Sequence, residues 1–314
     1  GVWIMAYTTI DDPTSFFNTV IYTGSNSSQS ITGVGFQPDW VWFKQRGGTT
    51  DHKLHDVVRG TNKNLTTNNT ATEQTYTYFT SFDSDGFTLE GNVSDYNKDS
   101  LTYVSWNWLA GGSASSNSNG DITSSVSANT TSGFSIVSYT GTGSVATIGH
   151  GLGVAPKLII VKTRSYSSQA WPVDVRAVDG ILYLNETGAK GSYGNSSPFP
   201  TTAPTASVFS VGSPENTNAS SATYIAYCFA EVKGYSKIGS YTGNGNASGT
   251  FVYTGFRPAW ILLKQSSTSG AGWRIHDTKR GISGNPEDET LYASANNAES
   301  TGRDVDFLSN GFKL

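Results

Sequence analysis

A single cysteine, Cys228, excludes an internal disulfide framework and any cysteine-based zinc cluster. Charge is scarce as well: Asp, Glu, Lys and Arg make up 14% of the 314 residues, against roughly 25% in ordinary soluble proteins. The formal net charge of −4 gives no electrostatic reason to expect nucleic acid or an anionic membrane as a partner. No apolar run approaches the ~18 residues of a membrane-spanning helix. Methionine occurs once, at Met5, so a start there leaves Gly1 to Ile4 as upstream residues or a processing remnant. No charged segment followed by an apolar stretch of secretory type precedes the body of the chain. What is abundant instead is hydroxyl, glycine and aromatic character: 42 Ser, 38 Thr, 35 Gly, 22 Asn and 12% aromatics. That mixture predicts strands joined by tight turns, in a protein that works outside cells.

Self-similarity is the strongest signal. Tyr22-Thr23-Gly24, Tyr139-Thr140-Gly141 and Tyr241-Thr242-Gly243 each open a block, and a proline-led apolar run follows at Pro38, Pro156 and Pro258, ending in Lys44, Lys162 and Lys264. The spacing from Tyr to Pro is 16, 17 and 17 residues, so the register is shared. Such domain-sized repeats, each with short Val/Ile/Tyr/Phe/Trp runs between Gly, Asn, Asp or Pro clusters, predict an all-β chain of tandem antiparallel β-sandwich, jelly-roll-like domains. Asp85-Gly86 and Asn310-Gly311 mark hairpins. The expected boundaries are an N-terminal extension at 1–18, repeat 1 at 19–110, a flexible Gly/Ser/Asn linker at 111–132, repeat 2 at 133–232 and repeat 3 at 237–314.

Repeats 1 and 2 both end in a late aromatic strand, Thr102 to Trp108 and Thr223 to Phe229, whereas repeat 3 stops at Leu314 without one. A sandwich lacking a strand exposes apolar surface and unpaired backbone groups. The opposite end of the chain carries a strand-like segment outside any repeat: Val2, Trp3, Ile4, Met5, Ala6 and Tyr7. Either this segment completes repeat 3 of a neighbouring subunit by strand addition, giving head-to-tail filaments, or the sequence continues beyond Leu314 and supplies its own strand.

The strings Met5-Ala6-Tyr7-Thr8-Thr9-Ile10, Gly35-Phe36-Gln37-Pro38-Asp39, His55-Asp56 to Arg59-Gly60, Ser81-Phe82-Asp83-Ser84-Asp85-Gly86-Phe87 and Ile148-Gly149-His150-Gly151-Leu152-Gly153 resemble a family of uncharacterised repeat proteins of tailed bacteriophages of aquatic bacteria. These are often labelled tail-fibre or virion-structural proteins. The resemblance spans nearly the whole chain. It implies a virion-appendage role and carries no reaction or catalytic residue.

Few residues suggest chemistry. Asp56/Arg59 and Asp277/Arg280 share an Asp-x-x-Arg-Gly pattern, with Asp174 and Arg176 as a degraded copy. A neighbouring His55 or His276 invites a catalytic reading, but adjacent strand residues face opposite ways, so a structural ion pair or turn is expected. His52 and His55 lack a third ligand for zinc. Asp83 and Asp85 read as a hairpin turn rather than a calcium loop, and Gly141-x-Gly143 has no helix behind it to cradle phosphate. No cofactor is indicated, and Cys228 reads as a core thiol. Trp40 and Trp42, like Trp106 and Trp108, share one strand face, which is core filling or, alternatively, a sugar-stacking platform. Nine Asn-x-Ser/Thr sites (Asn26, Asn64, Asn68, Asn92, Asn129, Asn185, Asn195, Asn218 and Asn246) are candidates for glycan attachment. The sequence therefore predicts a non-enzymatic structural subunit of an extracellular or virion-surface fibre, with copies of itself and glycans as partners. An adhesin that recognises host glycans is the alternative.

Overall fold

The computed structural model describes residues 8–281 and 284–314; the donor segment 2–7 lies outside them. The described chain is all-β, with antiparallel sheets and two short 3-10 turns, and no helix in it is long and apolar enough to cross a membrane. Each repeat is two-layered. In repeat 1 a six-stranded sheet runs in the order Phe17–Thr23, Thr102–Trp108, Trp40–Gln45, Lys53–Asp56, Lys63–Thr66, Gln74–Thr75. A three-stranded sheet of Gln29–Thr32, Gly86–Leu89 and Phe79–Asp83 covers one of its faces through Val41, Phe43, Phe87 and Tyr103. Repeat 2 follows the same plan, with Thr223–Phe229 between Phe134–Thr140 and Leu158–Thr163. The hairpins expected at Asp85-Gly86 and Asn310-Gly311 are present, pairing Asp83 with Gly86 and Leu308 with Gly311. A side chain at Gly86 would collide with the Ile31 carbonyl of the adjoining strand, and its φ of 148° also demands glycine.

The stretch expected to be a flexible linker is ordered structure. Residues 111–132 supply Ser115–Asn117 and Ser124–Asn129, the first two strands of the seven-stranded sheet of repeat 2. Hydroxyl-rich composition misled here because these residues act as hydrogen-bonding partners. Ser124 Oγ donates to the Gly149 carbonyl, Ser127 Oγ accepts from the Gly111 amide, and Asp121 accepts from Thr147. Only Ile122 and Val126 contribute apolar burial, too little to read as a strand from the sequence.

Nor are the repeats beads on a rod. The second face of each large sheet packs on the other repeats around a common axis. One apolar cluster joins Trp40, Trp42, Trp106 and Trp108 of repeat 1, Phe134, Ile160, Trp171 and Tyr227 of repeat 2, and Trp273, Ile275 and Leu291 of repeat 3. The Trp40 ring lies 4.9 Å from Tyr227 and 5.5 Å from Phe134, and the Trp108 ring lies 5.4 Å from Trp260. This explains why all six residues of the Trp40–Gln45 strand are buried: one face fills its own sandwich and the other fills the axis. It also settles the tryptophan pairs. Trp40, Trp42 and Trp106 are at most 2% exposed, so they are core and offer sugars no platform. Replacing Trp40 with Ala is expected to lower unfolding free energy by about 3–5 kcal/mol, read from the denaturant midpoint; a loss within the ~0.5 kcal/mol typical of surface positions would contradict its place on the axis.

Candidate functional site

The repeats meet at three seams, which are rotationally equivalent. Strand register gives the correspondence: Trp40 pairs with Asp56, Leu158 with Val175, and Trp260 with Asp277. Three backbone hydrogen bonds close the cycle. The Glu73 amide of repeat 1 donates to Arg164 of repeat 2, Lys190 of repeat 2 donates to Ser266 of repeat 3, and Glu299 of repeat 3 donates to Arg46 of repeat 1, at 3.0, 2.9 and 2.7 Å. Tryptophan indoles follow the same cycle, Trp171 donating to the Thr66 carbonyl and Trp273 to that of Tyr183.

Two seams are built on a buried carboxylate. At the first, Asp56 accepts from Arg59 Nε at 2.5 Å and from the Tyr227 hydroxyl of repeat 2 at 2.8 Å. Glu73 then bridges Arg59 and Arg164. At the second, Asp277 accepts from Arg280 Nε at 2.6 Å and from the Trp106 indole of repeat 1 at 2.9 Å, while Glu299 bridges Arg280 and Arg46. The Asp and Arg side chains of both pairs are fully buried. Burial opposes the charge on each guanidinium, but the facing carboxylates outweigh it and hold Arg59 and Arg280 above their ordinary value. Buried charges survive only when every donor and acceptor is matched. Here the aspartate also accepts the backbone amides of its own turn, Val58 and Arg59 in repeat 1, Lys279 and Arg280 in repeat 3.

The expected ion pairs Asp56–Arg59 and Asp277–Arg280 are thus present, and the sequence reading missed that each reaches into another repeat. The recurrence of Arg46 and Arg164, each two residues after the equivalent lysines Lys44 and Lys162 of the repeats, is the signal the sequence holds. Asp174 and Arg176 are not the third copy of the pair. Register assigns Val175 and Val178, not Asp174 and Arg176, to the Asp and Arg places of repeat 2. Asp174 and Arg176 pair with each other at 3.0 Å beside the Tyr193 hydroxyl. The third seam accordingly has no buried carboxylate at this position.

The late-strand place of repeat 3 adjoins that seam. In repeats 1 and 2 a late strand lies between the opening strand and the proline-led strand. In repeat 3 the corresponding residues 236–242 and the Trp260–Leu263 strand have no described strand between them, and Trp260–Leu263 pairs only with Arg274–Asp277. A cleft of about 300 Å³ bounded by Tyr241, Thr250, Leu263, Arg274 and Leu314 opens there. Tyr241, Phe251 and Tyr253 are exposed beside it.

The other candidates resolve locally. His55 stacks on Phe79 at 4.5 Å, facing away from Asp56 into the sandwich, and His52 accepts the Trp42 indole. Asp85 caps the amides of Gly33 and Gly35. Cys228 is buried, which pushes its thiol up. Among the described residues no group of three or more His, Cys, Asp or Glu is placed to hold a metal. Of the nine glycan candidates, Asn26, Asn92, Asn195 and Asn246 are exposed; Asn68, Asn129 and Asn185 are half-buried with their side-chain oxygens engaged. Asn64 and Asn218 are fully buried, leaving no room for a sugar on the folded chain.

Two outcomes follow from the seams. Tyr227→Phe removes one donor from Asp56 and is expected to lower stability by about 1–3 kcal/mol, whereas Asp277→Ala leaves Arg280 Nε and the Trp106 indole without their acceptor and is expected to lower it by about 3–5 kcal/mol; equal and negligible losses in thermal unfolding would contradict the seam. His276 beside Asp277 is held down to about 4 from 6.5, chiefly by burial and then by Arg280 and Arg274. Because the folded value is the lower one, stability from this group is complete above the unfolded value and is lost as pH falls through the folded one. His276→Gln should therefore reduce the acid-induced loss between pH 6.5 and 4 by up to roughly 3 kcal/mol; an unchanged pH profile would contradict it.

No curated protein and no solved structure matches the chain. One family model does, covering residues 12–314 under the description "Domain of unknown function (DUF7483)". With nearly its whole length matched, and three rotationally related repeats inside the match, the chain belongs to the DUF7483 family.

Proposed function

We propose that the protein is a non-enzymatic structural subunit of an extracellular fibre or a phage-type appendage, in which strand 2–7 of one subunit completes repeat 3 of the next, head to tail. The observation that carries this reading is in repeat 3, where, among the described residues, no late strand lies between residues 236–242 and Trp260–Leu263. A sheet edge without a partner strand recruits one by backbone hydrogen bonding, with side-chain pockets supplying specificity. A contact that joins one end of a subunit to a different surface of its neighbour is heterologous and propagates unless it closes into a ring. The low charge density suits a subunit that buries surface in an assembly and carries sugars on Asn26, Asn92, Asn195 and Asn246. The glycan-binding alternative is weaker because its tryptophans are enclosed in the axis.

Electron microscopy of the purified 314-residue chain is expected to show fibres that disappear when residues 2–7 are deleted. Fibres that persist without these residues, or a chain that never polymerises at any concentration, would overturn the proposal.

A further inference from the structure

In repeats 1 and 2 a short turn precedes the late strand and packs into the sandwich: Asp95-Tyr96-Asn97 in one, Asn216-Thr217-Asn218 in the other. The late strands fix the equivalence, Tyr103 donating its hydroxyl to the Ser94 carbonyl and Tyr224 to that of Glu215. The block that opens each repeat holds its turn through the same three donors. The Tyr22 hydroxyl donates to the Tyr96 carbonyl and the Tyr139 hydroxyl to that of Thr217, at 2.9 and 2.7 Å. The Ser25 and Thr142 amides donate to the side-chain oxygens of Asn97 and Asn218, at 3.0 and 2.8 Å. The Asn26 and Gly143 amides donate to the backbone carbonyls of the same two asparagines.

Repeat 3 has the donors and, among the described residues, no turn to receive them. Its opening block is Tyr241-Thr242-Gly243-Asn244-Gly245, so the equivalent donors are the Tyr241 hydroxyl and the Asn244 and Gly245 amides. All three residues are exposed, and none of these donors is hydrogen-bonded to a described residue. They line the cleft of about 300 Å³ together with Leu263, Arg274 and Leu314.

Two side chains specify what a turn seated there must carry. Lys53 lies opposite Phe43, and Arg274 holds the same place opposite Leu263. Lys53 pairs at 3.1 Å with Asp95, the first residue of its turn. In repeat 2, counting back from Val175, that place is Pro172, and the turn begins with the neutral Asn216. Cation and carboxylate thus occur together or not at all. Arg274 is the unmatched cation: its Nε is buried, and its guanidinium makes no hydrogen bond or ion pair with a described residue. A charge partly withdrawn from water is costly unless paired, and a carboxylate matches a guanidinium with two oxygens for two N–H groups.

The middle residue follows from a histidine. His55, opposite Val41, meets the Tyr96 hydroxyl at 3.2 Å, whereas repeat 2 has Asp174 in that place and Thr217 in its turn. Repeat 3 has His276 there, opposite Ile261. With His276 and Arg274 standing for His55 and Lys53, repeat 3 fits a turn of the repeat 1 kind.

We propose that this cleft is a docking site for a turn of a partner protein with the pattern Asp-Tyr-Asn, its carboxylate on Arg274, its tyrosine carbonyl on the Tyr241 hydroxyl and its asparagine on the Asn244 and Gly245 amides. A folded second copy of the chain cannot supply the turn, because its own Asp95 is held by Lys53 and its own Tyr96 is 1% exposed. Nor can the donor segment proposed above, since Val2 to Tyr7 contains no carboxylate. The docking site therefore stands or falls independently of strand exchange between subunits.

The probe is a labelled synthetic peptide, Asn-Val-Ser-Asp-Tyr-Asn-Lys-Asp-Ser, the sequence of residues 92–100. It is titrated with the 314-residue chain made without glycosylation, because Asn246 lies at the rim of the cleft. A saturable rise in fluorescence anisotropy is expected. The Asp95→Asn form of the peptide, or Arg274→Gln in the chain, is expected to weaken binding about tenfold or more. Since Arg274 has no partner to lose, Arg274→Gln should leave the Tm of the free chain in place, whereas Lys53→Gln should lower it. Saturation absent up to about 1 mM peptide, or undiminished binding by either altered form, would overturn the proposal. So would a fall in Tm for Arg274→Gln equal to that for Lys53→Gln, which would show the guanidinium already paired. Displacement of the peptide by an equimolar amount of glucuronate would overturn it in favour of an acidic sugar.

Discussion

Asp56 and Asp277 are buried carboxylates that no single repeat satisfies. Each takes an arginine and turn amides from its own repeat and one hydroxyl or indole donor from the next. In a low-dielectric interior an unmatched carboxylate would be strongly destabilising, so the charge is tolerable only when the two repeats are docked. The carboxylates Glu73 and Glu299 extend each pair to a second arginine across the same seam. Around these fixed points the aromatic axis fills: tryptophans from repeats 1 and 3 and large side chains from repeat 2 pack where three isolated sandwiches would have exposed them. The arrangement makes the large sheets three-layered in effect, each covered on one side by its own small sheet and on the other by its neighbours.

Much of this was legible in the sequence, and the failures have physical causes. Alternating Val, Trp, Phe and Tyr with Gly and Asn punctuation gave the strands, and the shared Tyr-to-Pro spacing gave the repeats. The Asp-x-x-Arg pairs read correctly as ion pairs because three residues across a tight turn bring those side chains together. What the sequence could not convey was the rotational packing. It depends on which face of Thr102–Trp108 or Thr223–Phe229 meets a different repeat, and linear spacing is silent on long-range partners such as Trp106 and Asp277. The misalignment at Asp174 arose because repeat 2 keeps an aspartate one residue early, paired with Arg176, while valines occupy the equivalent places. The serine-rich stretch 111–132 looked like a linker because its order comes from hydroxyl and backbone hydrogen bonds rather than from apolar burial.

The third seam departs from the other two in its chemistry. Its Asp and Arg places hold Val175 and Val178, so repeat 2 presents apolar side chains where the other two seams carry a buried ion pair.

The central claim is that the three repeats form one structural unit around a shared axis. Scanning calorimetry of the 314-residue chain tests it directly. A single transition is predicted, with calorimetric and van't Hoff enthalpies in agreement, because no repeat can unfold without exposing its neighbours' tryptophans and stranding a carboxylate. Two or three separable transitions, or a calorimetric enthalpy several times the van't Hoff value, would show independent domains and contradict it.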